Sequence, residues 1–157
     1  MRETLRISAR ADYAIRAAAA IAAVPEGELV TADTLSTGHG IPLRFLLAIL
    51  NNLRQGGIVE SRRGHGGGYR LVRAPEDLTL AEIIAAVDIT PSERSWTQPP
   101  GVPGESPTTR RVHELWSSLR SSLHEVLERT TIADVLDGSP LPLPGALVRA
   151  GRGAADE

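Results

Sequence analysis

One ten-residue segment, Arg62-Arg63-Gly64-His65-Gly66-Gly67-Gly68-Tyr69-Arg70-Leu71, limits what this chain can fold into more than any other. Two arginines lead into a glycine-dominated tip, and a strand-like alternation follows. Glycines let a hairpin backbone adopt positive φ and come close to a phosphate chain, and flanking arginines supply charge-assisted hydrogen bonds. Directly before this segment runs the pattern of two short helices joined by a tight turn. A helix–turn–helix followed by a basic hairpin is the element order of a winged helix, with a recognition helix for one groove of DNA and a hairpin beside it.

Apolar spacing supplies the helices. Residues 8–24 read as the first, with Ser8 as N-cap and Ala11, Ala14, Ile15, Ala18, Ile21 and Ala22 as one stripe. Thr31 caps a second helix through about Thr37, Gly38-His39-Gly40 makes the turn, and Ile41 is a buried hinge residue. Pro42 starts a third helix, whose inward face is Leu46, Ile49, Leu50 and Leu53 and whose end is Gly56-Gly57. Residues 58–62 and 69–72 are the hairpin strands, and Thr79 opens a fourth helix to about Val87. From about Thr108 to Arg129 runs a long amphipathic helix. In it Val112, Trp116, Leu119, Leu123 and Val126 step by 4, 3, 4 and 3, the seam of a helix that packs along another helix. A small protomer struggles to cover such a helix, so the seam is expected to be a dimer interface; packing on the chain's own helices is the alternative. Thr131 to Leu136 form a last short helix.

The expected fold class is mainly α with a small β-hairpin wing: a winged helix–turn–helix plus a long dimerisation helix. The expected division is 1–88 for the DNA-binding domain, 89–107 for a proline-rich loop, 108–137 for the dimerisation helix and short terminal helix, and 138–157 for a disordered tail.

Charge is distributed in keeping with this order. The net charge of −2 argues mildly against a nucleic-acid binder. Residues 1–73, however, hold ten arginines against six acids, whereas residues 74–157 hold seven against thirteen. The chain has no lysine, which excludes the phosphate loop of nucleotide hydrolases. The glycine run also lies between strands and opens no helix, unlike a dinucleotide fingerprint. His39, His65, His113 and His124 are scattered, with no nucleophile or metal spacing. An enzyme is not expected. No apolar run approaches the ~20 residues of a membrane span, and the first residues lack a continuous apolar secretory segment, so the expected location is cytoplasmic.

Taken together, these residues resemble the Rrf-two family of bacterial winged-helix regulators, which includes iron–sulfur, nitric-oxide and cysteine-metabolism regulators. The resemblance covers about residues 5–137. Its markers are Asp12-Tyr13-Ala14, Ile41-Pro42, Leu53-Arg54 with Gly57-Ile58-Val59, and most of all Ser61-Arg62-Arg63-Gly64 with Gly66-Gly67-Gly68-Tyr69-Arg70-Leu71. Ala81-Glu82-Ile83-Ile84 and Thr131-Ile132-Ala133-Asp134-Val135-Leu136 are also similar to the family. The resemblance implies a homodimer joined through the long helix and bound to double-stranded DNA. It implies that Thr31, Pro42, Leu43, Arg44 and Phe45 approach the DNA and that Arg62, Arg63, Gly64, Gly66, Gly67 and Tyr69 build the wing. Arg44 is the best candidate for a base reader, while Tyr69 is either a phosphate donor or a structural strand residue.

Two departures from the family stand out. Many relatives carry cysteines before the long helix that bind an iron–sulfur cluster; this chain has none, so no such cluster is expected. Relatives also often have polar side chains where this sequence has Leu47 and Ala48. Leu47 either touches a thymine methyl or packs inside, and packing is the favoured expectation. The function expected is a homodimeric repressor on a near-palindromic operator. The alternative is a regulator-like protein-interaction module that has lost specific DNA readout. A small-molecule or protein effector would act near residues 90–107, where Trp96 and Trp116 line a pocket or serve instead as a loop anchor and a dimer-core residue.

Overall fold

In the computed structural model, residues 8–87, 106–140 and 142 are described. Helix α1 (Ala9–Ala22) starts where the Ser8 side chain accepts a hydrogen bond from the Ala11 amide at 3.1 Å. Ala14, Ala17 and Ala18 are fully buried. Small side chains there let α3, α4 and α6 all pack against α1. The helix ends two residues before the expected Val24.

Helix α2 spans Ala32–His39, with the Thr31 hydroxyl accepting from the Thr34 amide at 3.2 Å. It therefore continues through Gly38 and His39, where the sequence suggested a three-residue turn. A helical glycine costs only about 1 kcal/mol relative to alanine, and the chain reverses at Gly40 alone, in the left-handed conformation at φ 62°. Ile41 is buried beneath the turn, and the Ser36 hydroxyl donates to its carbonyl at 2.7 Å. Pro42 precedes α3 (Leu43–Gln55) as its N-cap rather than as its first helical residue. Leu46, Ile49, Leu50 and Leu53 face inward and are at most 2% exposed. Each such burial contributes about 1.5–3 kcal/mol. Asn52 is also buried, and its side-chain nitrogen has no hydrogen-bond partner.

Strands β1 (Val59–Arg62) and β2 (Gly68–Leu71) pair antiparallel, with Val59 opposite Leu71 and Arg62 opposite Gly68. A third segment joins the hairpin. The Val30 amide donates to the Tyr69 carbonyl at 3.0 Å, and the Tyr69 amide donates back to the Val30 carbonyl at 2.8 Å. These bonds clamp the wing to the residues that lead into α2.

After a short 3-10 turn (Pro75–Asp77), α4 (Leu80–Val87) is capped reciprocally. The Thr79 amide donates to Glu82 at 3.1 Å, and the Glu82 amide donates to the Thr79 hydroxyl at 3.3 Å. Arg73 adds a 2.8 Å ion pair, the largest of the effects that hold the Glu82 carboxyl below its ordinary range. Helix α5 spans Pro107–Arg129, and α6 (Ile132–Asp137) follows it with a capping box between Thr131 and Asp134. Chain segments at 78–80 and 130–132 exchange backbone bonds, Leu80 N–H to Thr130 O and Ile132 N–H to Leu78 O, both at 2.9 Å. The end of α5 is thereby tied to the winged domain, and α6 packs on α1 and the 3-10 turn.

Candidate nucleic-acid interface

The outward side of α3 is the complement of its buried stripe: Arg44, Leu47, Ala48 and Asn51 follow one another at helical spacing, all exposed. Arg44 lies over the Phe45 ring, 5.2 Å from its centroid, an arrangement that limits where the guanidinium can point. Pro42, Leu43, Arg44 and Phe45 therefore occupy the exposed N-terminal end of α3, with Phe45 at 52% exposure. Leu47 is 46% exposed. The expectation that it packs inside is corrected: neighbours Leu46 and Leu47 lie about 100° apart around the helix, and Leu46 takes the inward place.

At the other end of α3 the wing turns back to form a cleft of about 360 Å³ between helix and hairpin. Thr31, Arg62, Arg63, Gly64, Gly67 and Tyr69, six of the expected site residues, line it. Gly66, at the tip with φ 74°, lies outside the cleft lining. Two glycines are required by close approach. A Cβ at Gly67 would strike the Arg62 carbonyl oxygen, and one at Gly68 would sit 2.7 Å from the Val30 carbonyl oxygen. Tyr69 is half-buried against the core through its strand position, which supports the structural role, although the residue also lines the cleft. Thr31 is committed to capping α2, so it shapes the rim by fixing that helix.

Sequence reasoning missed Asn51, Arg54, Ala32, Ser61 and Gly68 in this lining. The first two were legible as the continuation of α3's outward face; Arg54 also bonds Asn51 at 3.2 Å. The electrostatics sort the arginines of this region. Arg70 pairs with Glu60 across the hairpin and Arg73 with Glu82. Among the described residues, Arg44, Arg54, Arg62 and Arg63 have no carboxylate partner, so their charge is directed to whatever meets this surface. On α1, Arg16 is likewise paired, with Asp12, and lies over the Tyr13 ring.

The long-helix seam behaves differently. Val112, Trp116, Leu119 and Leu123 are 41–45% exposed, and Leu115 beside them is 57% exposed. Val126 departs from the expected seam: it is 9% exposed, covered by its own protomer where α5 runs into the 78–80 and 130–132 ties. Trp96, the other residue expected at an effector pocket, lies outside the described residues. None of the described helices is long and apolar enough to cross a membrane.

A recognition helix, a clamped basic hairpin and a concave surface between them define a winged-helix DNA-binding protein. Residues 7–138 match the family model described as Rrf2, iron-dependent transcriptional regulator. The chain belongs to this family, whose members are transcriptional regulators and not enzymes. It is 38% identical over 135 residues to an HTH-type transcriptional regulator of Mycobacterium tuberculosis, covering 86% of this chain and 83% of that one. It is 29% identical over 143 residues to the regulator IscR of Cereibacter sphaeroides, covering 89% and 92% of the two chains. Among solved structures, CymR, the global cysteine regulator of B. subtilis, superposes with a TM-score of 0.71 at 26% identity, covering 87% of this chain and all of that one.

The family description carries iron, and iron–sulfur clusters are held by thiolates. With no cysteine in the chain, the donor set does not fit such a cluster. No group of three or more His, Asp or Glu among the described residues is placed to hold a metal ion.

Proposed function

We propose that this regulator is a homodimeric repressor that grips a near-palindromic operator with the α3 helices and wings of two copies and works without an iron–sulfur cluster. The observation that carries this reading is a set of arginines without a carboxylate partner among the described residues: Arg54, Arg62 and Arg63 line the cleft between α3 and the wing, and Arg44 stands exposed at the start of α3. In this reading the wing and cleft arginines follow phosphates and fix register, while Arg44 reads a guanine edge. Pro42, Leu43 and Phe45 set the entry of the helix, and Gly64, Gly66 and Gly67 let the wing lie close to the backbone.

Dimerisation through α5 is supported by its seam, since Leu115, Leu119 and Leu123 remain 41–57% exposed. Such a pair covers two successive major grooves, about 34 Å apart, and repression follows from excluding other proteins from that stretch. A bacterial regulator of this kind works in the cytoplasm, where the DNA is.

Selecting duplexes from a random pool and footprinting the winner tests the proposal. The expected result is a near-palindrome protected in two patches about ten base pairs apart. A single protected patch, or no enrichment, overturns it.

A further inference from the structure

We infer that Leu47 is a specificity residue that reads the 5-methyl group of thymine, so that each half-site carries a thymine within one or two base steps of the guanine read by Arg44. The inference rests on the proposed DNA interface and deepens it.

Leu47 stands in the middle of the outward face of α3 at 46% exposure, flanked by Arg44 one turn before it and by Asn51 one turn after it. Ala48 beside it is exposed and short, and Leu43, one turn before it on the same face, is 38% exposed, so Leu47 is the more prominent apolar side chain of that face. A surface whose flanks are arginine and asparagine has no use for an apolar centre against phosphates. Against base edges it has one natural counterpart. The major groove displays hydrogen-bonding groups at every base pair and a single apolar group, the thymine C5-methyl. An aliphatic side chain facing any other edge strips water from donors and acceptors and returns no bond. Leu47 therefore favours thymine and disfavours the rest.

Spacing narrows the site. Arg44 and Leu47 are three residues apart, about 4.5 Å along a helix axis at 1.5 Å per residue. Successive base pairs rise 3.4 Å. Side chains one turn apart thus address edges one or two steps apart. Arg44 lies over the Phe45 ring, which limits where its guanidinium can point.

The probe is the duplex selected from a random pool, with each thymine replaced in turn by deoxyuridine, which removes the methyl and nothing else. For the wild-type protein, replacement at one thymine per half-site, within two steps of a guanine, is expected to weaken binding roughly fourfold. That factor is about 0.8 kcal/mol for one buried methyl at 1.4 kcal/mol per decade. Leu47→Ala is expected to bind the thymine and deoxyuridine duplexes alike. Tight binding by the wild type with indifference to deoxyuridine everywhere would overturn the inference and leave the DNA interface standing. So would a methyl effect that persists unchanged in Leu47→Ala. If no duplex is enriched or bound, the interface itself is wrong, and this inference falls with it.

Discussion

Helices α3 and α5 both present apolar side chains to the outside, yet they are held in opposite ways. The inward face of α3 is sealed in the core by Leu46, Ile49, Leu50 and Leu53, and its exposed Leu43, Phe45 and Leu47 stand around Arg44. On α5 only Val126 is buried, and the exposed residues run along the helix from Val112 to Leu123. The difference teaches that exposed apolar area is not one signal. On α3 it is a small patch on a rigid, internally supported element, suited to touching a few methyl groups. On α5 it is a stripe about three turns long that stays substantially exposed among the described residues, the kind of surface that another helix covers.

The largest effect expected from this contrast falls on α5. The double substitution Leu119→Glu with Leu123→Glu removes four apolar side chains from a paired interface and places acids there. Self-association, measured by sedimentation, is expected to weaken by at least about 1,000-fold, while the circular dichroism of the winged domain is retained. A wild-type protein that is monomeric at micromolar concentration would break the comparison from the other side.

Next comes the division within α3 itself. Leu50→Ala is expected to cost about 2–5 kcal/mol in urea unfolding, because a fully buried side chain leaves a cavity. Leu47→Ala, half exposed, is expected to change stability by no more than about 0.5 kcal/mol. Similar losses for both would mean that the outward face is structural after all.

The smallest effect concerns the contact between the wing's exit and α4. Arg73 and Thr79 lower the Glu82 pKa from its ordinary value of 4.5, so the folded state holds its proton less tightly than the unfolded one. The contribution is therefore complete above about pH 4.5 and is lost as pH falls through the lower folded value. Both side chains of the pair are more than 40% exposed, so the contribution is modest. The urea midpoint of Glu82→Gln is expected to fall less steeply than that of the wild type below pH 4.5. Parallel curves would remove the pair from the acid response.

These contrasts also explain what the sequence disclosed. The stripes of α1, α3 and α4 were legible because their periodicity is set by burial against a single core. The wing was legible because its glycines mark places where a Cβ does not fit, at Gly67 and Gly68. Three features were hidden. The Val30–Tyr69 bridge joins residues 39 positions apart through backbone groups alone, and a two-residue apolar segment carries no pattern. Leu47 was ambiguous because adjacent leucines cannot both face inward and local spacing does not choose between them. Val126 continues the seam by spacing, but it is buried near the end of α5, which is tied to the winged domain by backbone bonds between 78–80 and 130–132, segments distant in sequence.

The salt dependence of binding to the selected duplex, for the wild type and for Arg62→Ala with Arg63→Ala, tests the central claim most directly. Each phosphate contact contributes about 0.9 to the slope of log affinity against log salt. Removing two arginines from each of two copies is expected to flatten that slope by about 3 to 4. Slopes that coincide would contradict a wing-and-helix grip made by paired copies.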